Sequence, residues 1–209
     1  MPRPSRTRRK EDRPAELLEA ALDTFRAKGF AATRMDDIAA RAGVSKGTIY
    51  LYYPSKEAIF EALVRDRLLP NLDRVEAAAA ASPLPAGATL RLIAGMASQV
   101  MADARLVGVP KMVLAEAGNF PELARFYREA VVARALALIA GVIRRGIAAG
   151  EFRDTDPEIA ARLFVFPVLV TALWQATFAP VEDHPVPPAK VVEQHLETWL
   201  RGMARDGAR

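Results

Sequence analysis

Apolar residues recur at helical spacing along almost the whole chain. Met35, Ile38, Ala39 and Ala42, for example, form the i, i+3, i+4, i+7 stripe of a helix with one buried face. Later stripes predict helices over about 89–104, 110–118, 121–149, 157–178 and 188–204. Since no segment alternates as a strand would, the pattern predicts an all-α protein of about nine helices.

The stretch Thr33–Leu63 predicts a helix-turn-helix. Thr33 followed by Asp36 resembles a capping box at the start of its first helix, and Gly43 lies where the chain must turn. Ser45 is a natural N-cap for a short, polar second helix whose inward residues are Ile49 and Tyr53. A slender, polar helix start can approach a groove of DNA closely, and helix N-termini favour phosphate.

The segment DDIAARAGVSKGTIYLYYPSKEAIF resembles the DNA-binding signature of the TetR family of bacterial transcriptional regulators. The match combines apolar spacing with the SKGT.Y.Y..SKEA pattern and covers about the first third of the chain. Tyr53 departs from it, because the family more often has Phe there. The resemblance implies a three-helix DNA-binding domain followed by a larger helical regulatory and dimerisation domain. The alternative is a helical hairpin without a DNA-binding role.

The predicted DNA contacts lie on the second helix of the motif and beside it. They are Thr33, Arg34, Ser45, Lys46, Gly47, Thr48, Tyr50, Tyr52 and Lys56. Lys56 falls in the first turn of a helix capped by Ser55, where the helix dipole disfavours a cation. The TetR resemblance implies a phosphate contact close to this position, and a bound phosphate would remove the conflict, so Lys56 is expected to contact the DNA backbone.

The net positive charge belongs to the N-terminal part. Residues 1–56 hold twelve Lys and Arg against seven Asp and Glu, whereas residues 57–209 hold seventeen against eighteen. A localised basic region is the electrostatic footprint of phosphate binding. Residues 1–13 are expected to be a disordered basic arm, which either enters the minor groove or stays a solvated tail.

Prolines and glycines suggest the domain boundaries. Pro14 is a favoured first helical residue, so the DNA-binding domain is placed at 14–54. A connecting helix and linker follow at 55–87, with Pro70 interrupting the helix and SPLPAG ending the linker. The regulatory and dimerisation domain takes 88–209. No leader or membrane span is evident, and the absence of cysteine suits a cytoplasmic protein.

The second domain is rich in residues that can enclose an apolar cavity. The predicted ligand-binding residues are Met96, Val100, Met112, Phe126, Phe164, Val168 and Trp174, each of which could instead be ordinary core. Residues 111–130 also resemble the regulatory domain of TetR-family members that respond to lipophilic compounds. A small, apolar effector is therefore expected.

Two apolar stripes near the C-terminus suggest a dimer interface, with packing inside one protomer as the alternative. The TetR resemblance implies that the last two helices pair with their copies across a two-fold axis. The interface residues predicted are Phe164, Thr171, Leu196, Trp199 and Leu200. Pro167 lies mid-helix and frees a carbonyl, which predicts that the wall near Leu163 faces a cavity or the partner. His195 is expected to be packed and hydrogen-bonded.

No pattern indicates an enzyme, a metal site or a cofactor. The two histidines are isolated, and the paired acidic residues are neighbours in sequence rather than converging groups. The favoured function is a homodimeric repressor, released from a palindromic double-stranded DNA operator by a small molecule. The alternative is an architectural or partner-recruiting DNA-binding dimer without an effector.

Overall fold

The structure is a computed structural model that describes residues 6–205; the side chains of residues 6–12 and 104 lie outside that description. Its α-helices are α1 (Arg6–Ala32), α2 (Met35–Arg41), α3 (Lys46–Tyr52), α4 (Lys56–Leu63), α5 (Leu69–Ala81), α6 (Ala86–Met101), α7 (Ala104–Glu116), α8 (Pro121–Tyr127), α9 (Ala133–Ala148), α10 (Pro157–Gln175) and α11 (Pro188–Met203). A 3-10 turn covers Ala179–Val181. The extended pairing found within residues 6–205 is one isolated bridge between Phe152 and Ala204.

Two π-helical segments each join a pair of successive α-helices without a break. Val64–Leu68 joins α4 to α5, and Arg128–Val132 joins α8 to α9. The described residues therefore form nine helical stretches, the first of which is kinked at Gly29 (φ +78°), and this confirms the all-α prediction. Pro70 lies inside α5 and cannot donate to the preceding turn, so the wider turns just before it accommodate the proline without ending the helix.

The start of α1 differs from the prediction. The helix begins at Arg6, and Pro14 lies inside it rather than at its first position. Residues 6–13 are thus helical and not a disordered arm, whereas residues 1–5 lie outside the described residues. The basic run is composed mainly of good helix formers, and Pro14 removes only one backbone hydrogen bond.

The chain divides into two compact units. The N-terminal unit comprises the residues up to Leu68 together with Gly108–Phe126, and the C-terminal unit comprises Leu69–Val107 and Tyr127–Arg209. These compact units do not coincide with the predicted division at residues 54 and 87. A segment inside the predicted regulatory domain belongs to the compact unit that holds the helix-turn-helix, because it completes an aromatic core there.

Phe30 is the centre of that aromatic core. It is fully buried, and its ring centroid lies 5.2 Å from that of Phe25, 6.0 Å from Phe60 and 4.9 Å from Phe120. Phe120 comes from the loop between α7 and α8. Close by, the Glu116 carboxylate accepts the Ala31 N–H at 3.1 Å. The fold of the helix-turn-helix thus depends on residues far along the chain.

The core of the C-terminal unit lies between α5, α6, α9, α10 and α11 and includes Leu90, Ile143, Phe164 and Leu196. Polar contacts join these helices at their ends. The Glu151 carboxylate accepts the N–H groups of Ala86 and Gly87, both at 2.6 Å, and so caps α6. A helix N-terminus without a side-chain cap of its own is completed in this way.

Helix α10 is apolar on two faces. One face packs into the core through Ala161, Phe164 and Val168. The opposite face exposes a stripe, called here the α10 stripe, which consists of Ile159, Leu163, Phe166, Val170 and Trp174. Because both faces are apolar, the length and composition of α10 would allow it to cross a membrane. Core helices of soluble proteins also meet this criterion.

Candidate DNA-binding surface and ligand cavity

The turn between α2 and α3 is built as the sequence predicts. Gly43 has φ +66°, a left-handed conformation that other residues adopt only with strain. Ser45 then caps α3, since its Oγ accepts the Thr48 N–H at 3.2 Å. Ile49 is fully buried and holds α3 against the core. Ser45 and the helix start therefore have fixed positions.

The cap of α2 is one residue later than predicted. Arg34 is the N-cap, and its N–H donates to the Asp37 carboxylate at 3.0 Å. Asp37 also accepts from Lys28 at 2.6 Å, and these hydrogen bonds lower the pKa of its carboxyl. Thr33 is only 2% exposed, and its hydroxyl donates to the Gly29 carbonyl at 2.6 Å. Its side chain therefore lies in the interior, and no Thr33–Asp36 capping box is formed.

The outer face of α3 consists of Lys46, Gly47, Tyr50 and Leu51, all exposed. Leu51 is 84% exposed, although it is apolar and is flanked by polar residues. Sequence reasoning missed it because it weighed only the polar side chains of this helix. Thr48 and Tyr52 are half-buried on the flanks of the face, and Ser45 and Arg34 are exposed beside it.

Gly47 is not required by the protein's own packing. A Cβ added there would meet only Ser45 Oγ, at 3.9 Å, which is ordinary contact. Its backbone is helical, so no special conformation explains the glycine either. A residue without a side chain on an exposed helix is then best explained by an outside surface that approaches the backbone closely.

Lys46 has a partner within the protein. Its Nζ donates to the Asp36 carboxylate at 3.0 Å, and both side chains are largely exposed. This hydrogen bond is the main cause that raises the pKa of Lys46, so the ammonium stays charged. Exposed pairs of this kind contribute little stability, so the ammonium can exchange Asp36 for a phosphate.

Lys56 contacts the end of α1. Its ammonium donates to the carbonyl oxygens of Phe30, Ala31 and Thr33 at 2.7, 3.1 and 3.2 Å. It also lies over the Phe30 and Phe120 rings, 4.6 and 5.2 Å from their centroids. The carbonyls at a helix C-terminus attract a cation, so the conflict with the dipole of α4 is resolved inside the protein. No phosphate is needed for that purpose.

The C-terminal unit contains a cavity of about 400 Å³ between α6, α10, α11 and the start of α7. Its walls are mostly apolar and carry no charged side chain. The lining residues are Ser98, Met101, Ala102, Val107, Val168, Thr171, Ala172, Gln175, Ala176, Pro188, Ala189 and Val192. The volume is in the range of roughly 300–1,000 Å³ that is typical of small-molecule sites.

Among the predicted ligand-binding residues, only Val168 lines this cavity. Phe164 is core and Met96 packs against that core, whereas Trp174 lies on the exposed α10 stripe. Met112 and Phe126 belong to the N-terminal unit. Val100 is half-buried on α6 and is not among the lining residues. Helical periodicity marks these side chains as apolar but does not distinguish a void from filled core.

The residues predicted for a dimer interface are mostly internal. Phe164 is 2% exposed and Leu196 is also buried, while Trp199 and Leu200 pack against the same core. Thr171 lines the cavity, and its hydroxyl donates to the Pro167 carbonyl at 2.7 Å. A partner protomer cannot reach Phe164 or Leu196 without disrupting the core. The exposed apolar surface on α10 is instead the α10 stripe.

His195 is packed and hydrogen-bonded, as predicted. Its Nε2 lies 3.0 Å from the Phe164 carbonyl oxygen, and since a carbonyl only accepts, Nε2 is the donor.

The helix around Pro167 separates two surfaces. Leu163, one turn before the proline, is 60% exposed, whereas Val168 and Thr171 after it line the cavity.

Two family profiles match the chain. The profile described as "Bacterial regulatory proteins, tetR family" matches residues 17–63, and "AefR-like transcriptional repressor, C-terminal domain" matches residues 88–205. The second alone covers more than half of the 209 residues. Together the two profiles include the helix-turn-helix and the cavity.

Individual relatives agree with these profiles. The transcriptional regulator RutR of Escherichia coli K12 is 52% identical over 52 residues, which are 25% of this chain and 24% of RutR. The fatty acid metabolism regulator protein of Bacillus subtilis is 26% identical over 159 residues, 75% of this chain and 80% of that protein. The match to RutR thus spans only about a quarter of the relative's length.

A solved structure shares the fold over nearly the whole chain. It is the Thermus thermophilus FadR, a TetR-family repressor in complex with lauroyl-CoA. The identity is 27% and the TM-score 0.63, over 94% of this chain and 98% of that one. The helix-turn-helix, the all-α fold and both profiles lead to one conclusion: this chain belongs to the TetR family of DNA-binding bacterial transcriptional regulators.

Proposed function

We propose that this regulator is a repressor that leaves its operator when a small, apolar molecule enters the C-terminal unit. The observation that carries the proposal is the combination of an exposed, glycine-containing α3 face in one unit with an apolar cavity in the other. A DNA-binding dimer with a solid regulatory core, the architectural alternative, has no use for a cavity of about 400 Å³. Neither role involves turnover, and an operator as partner implies a cytoplasmic protein.

The DNA contacts proposed are the outer face of α3 and its flanks. Lys46, Tyr50 and Leu51 are proposed to meet the major groove, and Gly47 to let the backbone come close; their exposure and the free space at Gly47 support this. Ser45, Thr48, Tyr52 and Arg34 flank that face and are proposed to contact phosphates or base edges. Lys56 is proposed to act indirectly, because its three donor hydrogens already meet carbonyl oxygens.

A homodimer is proposed to form through the α10 stripe. Large apolar side chains at successive turns of one helix, exposed to water, are unfavourable in a monomer. Pairing with a second copy would remove them from water and would hold two α3 helices at a fixed spacing. Two half-sites of a palindrome can then be read together.

The effector is proposed to bind in the cavity of the C-terminal unit. The Thermus thermophilus FadR was solved with lauroyl-CoA, which makes acyl-CoA a first compound to examine for this chain. A ligand that prefers one conformer shifts the population toward it, and operator release follows if α3 of the two protomers is then wrongly spaced. The chain passes between the units at Leu68–Leu69, Val107–Gly108 and Phe126–Tyr127, which gives covalent routes for this coupling.

The decisive experiment starts with selection of an operator from random duplex DNA by the full-length protein. Fluorescence anisotropy then measures operator affinity at fixed salt, with and without lauroyl-CoA and with a fractionated lysate of the source cells. We expect nanomolar binding that at least one fraction lowers tenfold or more. An operator affinity that no compound or fraction changes would instead support the architectural alternative.

A further inference from the structure

We infer that the cavity of the C-terminal unit takes a compact, uncharged, largely apolar molecule that carries one hydrogen-bonding group, which meets Ser98. This inference rests on the proposed function, since it specifies the effector of that proposal. It concerns the chemical class of the ligand and is independent of whether the ligand releases or promotes DNA binding.

The first observation is the polarity of the walls. Met101, Val107, Val168 and Val192 contribute branched or flexible apolar surface, and the alanines and Pro188 complete the lining. None of the lining residues is charged, so an anionic group inside would lose its hydration without gaining a cation. The cost of burying an unpaired charge far exceeds what contacts with a few methyl groups return. The cavity therefore selects against carboxylates and phosphates.

The second observation is Ser98. Its Oγ is buried and has no hydrogen-bond partner among the residues that the structure describes. The other polar side chains of the lining are engaged: Thr171 donates to the Pro167 carbonyl, and Gln175 donates to the Val186 carbonyl at 3.0 Å. A buried hydroxyl without a partner is unfavourable, and a ligand hydroxyl or carbonyl at this wall would satisfy it.

The third observation is size. At about 400 Å³, the cavity is near the lower end of the volumes that hold small ligands, roughly 300–1,000 Å³. A bicyclic aromatic molecule can be accommodated in such a space. Met101 is the adaptable side chain that can adjust to its shape.

The test uses three probes of nearly equal shape: 2-naphthol, naphthalene and 2-naphthoate. Binding to the full-length protein is measured by isothermal titration calorimetry, with fluorescence of the two tryptophans as a second readout. We expect 2-naphthol to bind about threefold to tenfold more tightly than naphthalene, the effect of one net hydrogen bond. 2-Naphthoate is expected to show no saturable binding.

Two variants locate the probe. Ser98→Ala should remove the preference for 2-naphthol over naphthalene while leaving naphthalene affinity unchanged. Ala176→Phe places a ring in the cavity wall and should weaken both probes at least tenfold; the matched control is Ala137→Phe, on an exposed position of α9. Thermal unfolding of each variant shows whether it is folded. If Ala176→Phe does not fold, the Ser98→Ala result still tests the inference.

Three results would overturn the inference: binding of 2-naphthoate as tight as that of 2-naphthol, a naphthol preference that survives Ser98→Ala, or no saturable binding of any probe. Lauroyl-CoA separates this failure from failure of the proposed function. If lauroyl-CoA releases the operator while the probes do not bind, a ligand-released repressor stands, but its effector is not a small, apolar molecule and the compact, uncharged ligand is wrong. If the probes bind as expected and no compound changes operator affinity, the repressor proposal fails instead.

Discussion

Lys56 donates from its ammonium to the Phe30 carbonyl oxygen over 2.7 Å and so ties the first turn of α4 to the end of α1. Two further carbonyls and two aromatic rings surround the same ammonium. Lys56 therefore has an internal function in the N-terminal unit, at a position where sequence reasoning expected a phosphate contact.

The variant Lys56→Met tests this function. It retains the apolar stem but removes the charge-assisted hydrogen bonds, so we expect a loss of about 2 kcal/mol in the free energy of unfolding. Urea unfolding measures this loss, with the exposed Lys190→Met as control. At temperatures where the variant is folded, the salt dependence of operator binding should be unchanged. A slope of log K against log salt that falls by about 0.9 per protomer would show that Lys56 neutralises a phosphate.

Gly47→Ala separates folding from DNA binding. The added methyl has room and improves helix propensity, so stability should rise by about 0.5 kcal/mol, whereas operator affinity should fall at least tenfold. Gly95→Ala, on an open face of α6, is the control: it should bring a similar gain in stability without a change in affinity. If Gly47→Ala binds the operator as well as the parent does, close approach at this position is excluded.

Leu51 is expected to contact the C5-methyl group of a thymine, the one apolar feature in the major groove. Replacing each operator thymine in turn by uracil should identify one position per half-site at which affinity falls about fourfold, the effect of one methyl-sized apolar contact. Leu51→Ala should lower operator affinity by the same factor, and replacing that thymine by uracil should then have no further effect. Leu51→Met should retain both the affinity and the sensitivity to uracil. If the losses from Leu51→Ala and from the uracil substitution add when the variant is tested on the substituted operator, the contact is refuted.

The α10 stripe is expected to be the dimer interface. Leu163→Glu would place an unpaired charge in it and should weaken dimerisation at least about 100-fold. Sedimentation equilibrium measures the change, and Leu84→Glu, at another exposed leucine of the C-terminal unit, is the control. A Leu163→Glu protein that remains dimeric would place the interface elsewhere.

Much of the fold is predictable because local signals suffice for it. Prolines at the starts of α8, α10 and α11 and the Ser45 cap mark helix boundaries without any long-range information. The helix-turn-helix is recognisable for the same reason, since Gly43 and Ile49 have roles that are fixed within a few residues.

The sequence does not show which of these side chains are buried, because burial depends on how the segments pack. Thr33 has a hydroxyl suitable for DNA, and only the end of α1 explains why it is buried. On α10, Phe164 and Leu163 are adjacent and both apolar, so periodicity cannot tell the core face from the exposed one. Cavity residues such as Ser98 carry no signal in sequence, because a void depends on the space that the four surrounding helices leave unfilled.

The composition of the N-terminal unit also limits how such regulators can be recombined. Phe120 packs on Phe30, and Glu116 accepts a hydrogen bond from Ala31. A hybrid that takes only the residues up to Leu68 from another family member would therefore pair a foreign aromatic core with this chain's own residues 108–126. A working hybrid between family members needs two exchanged pieces, the second spanning 108–126.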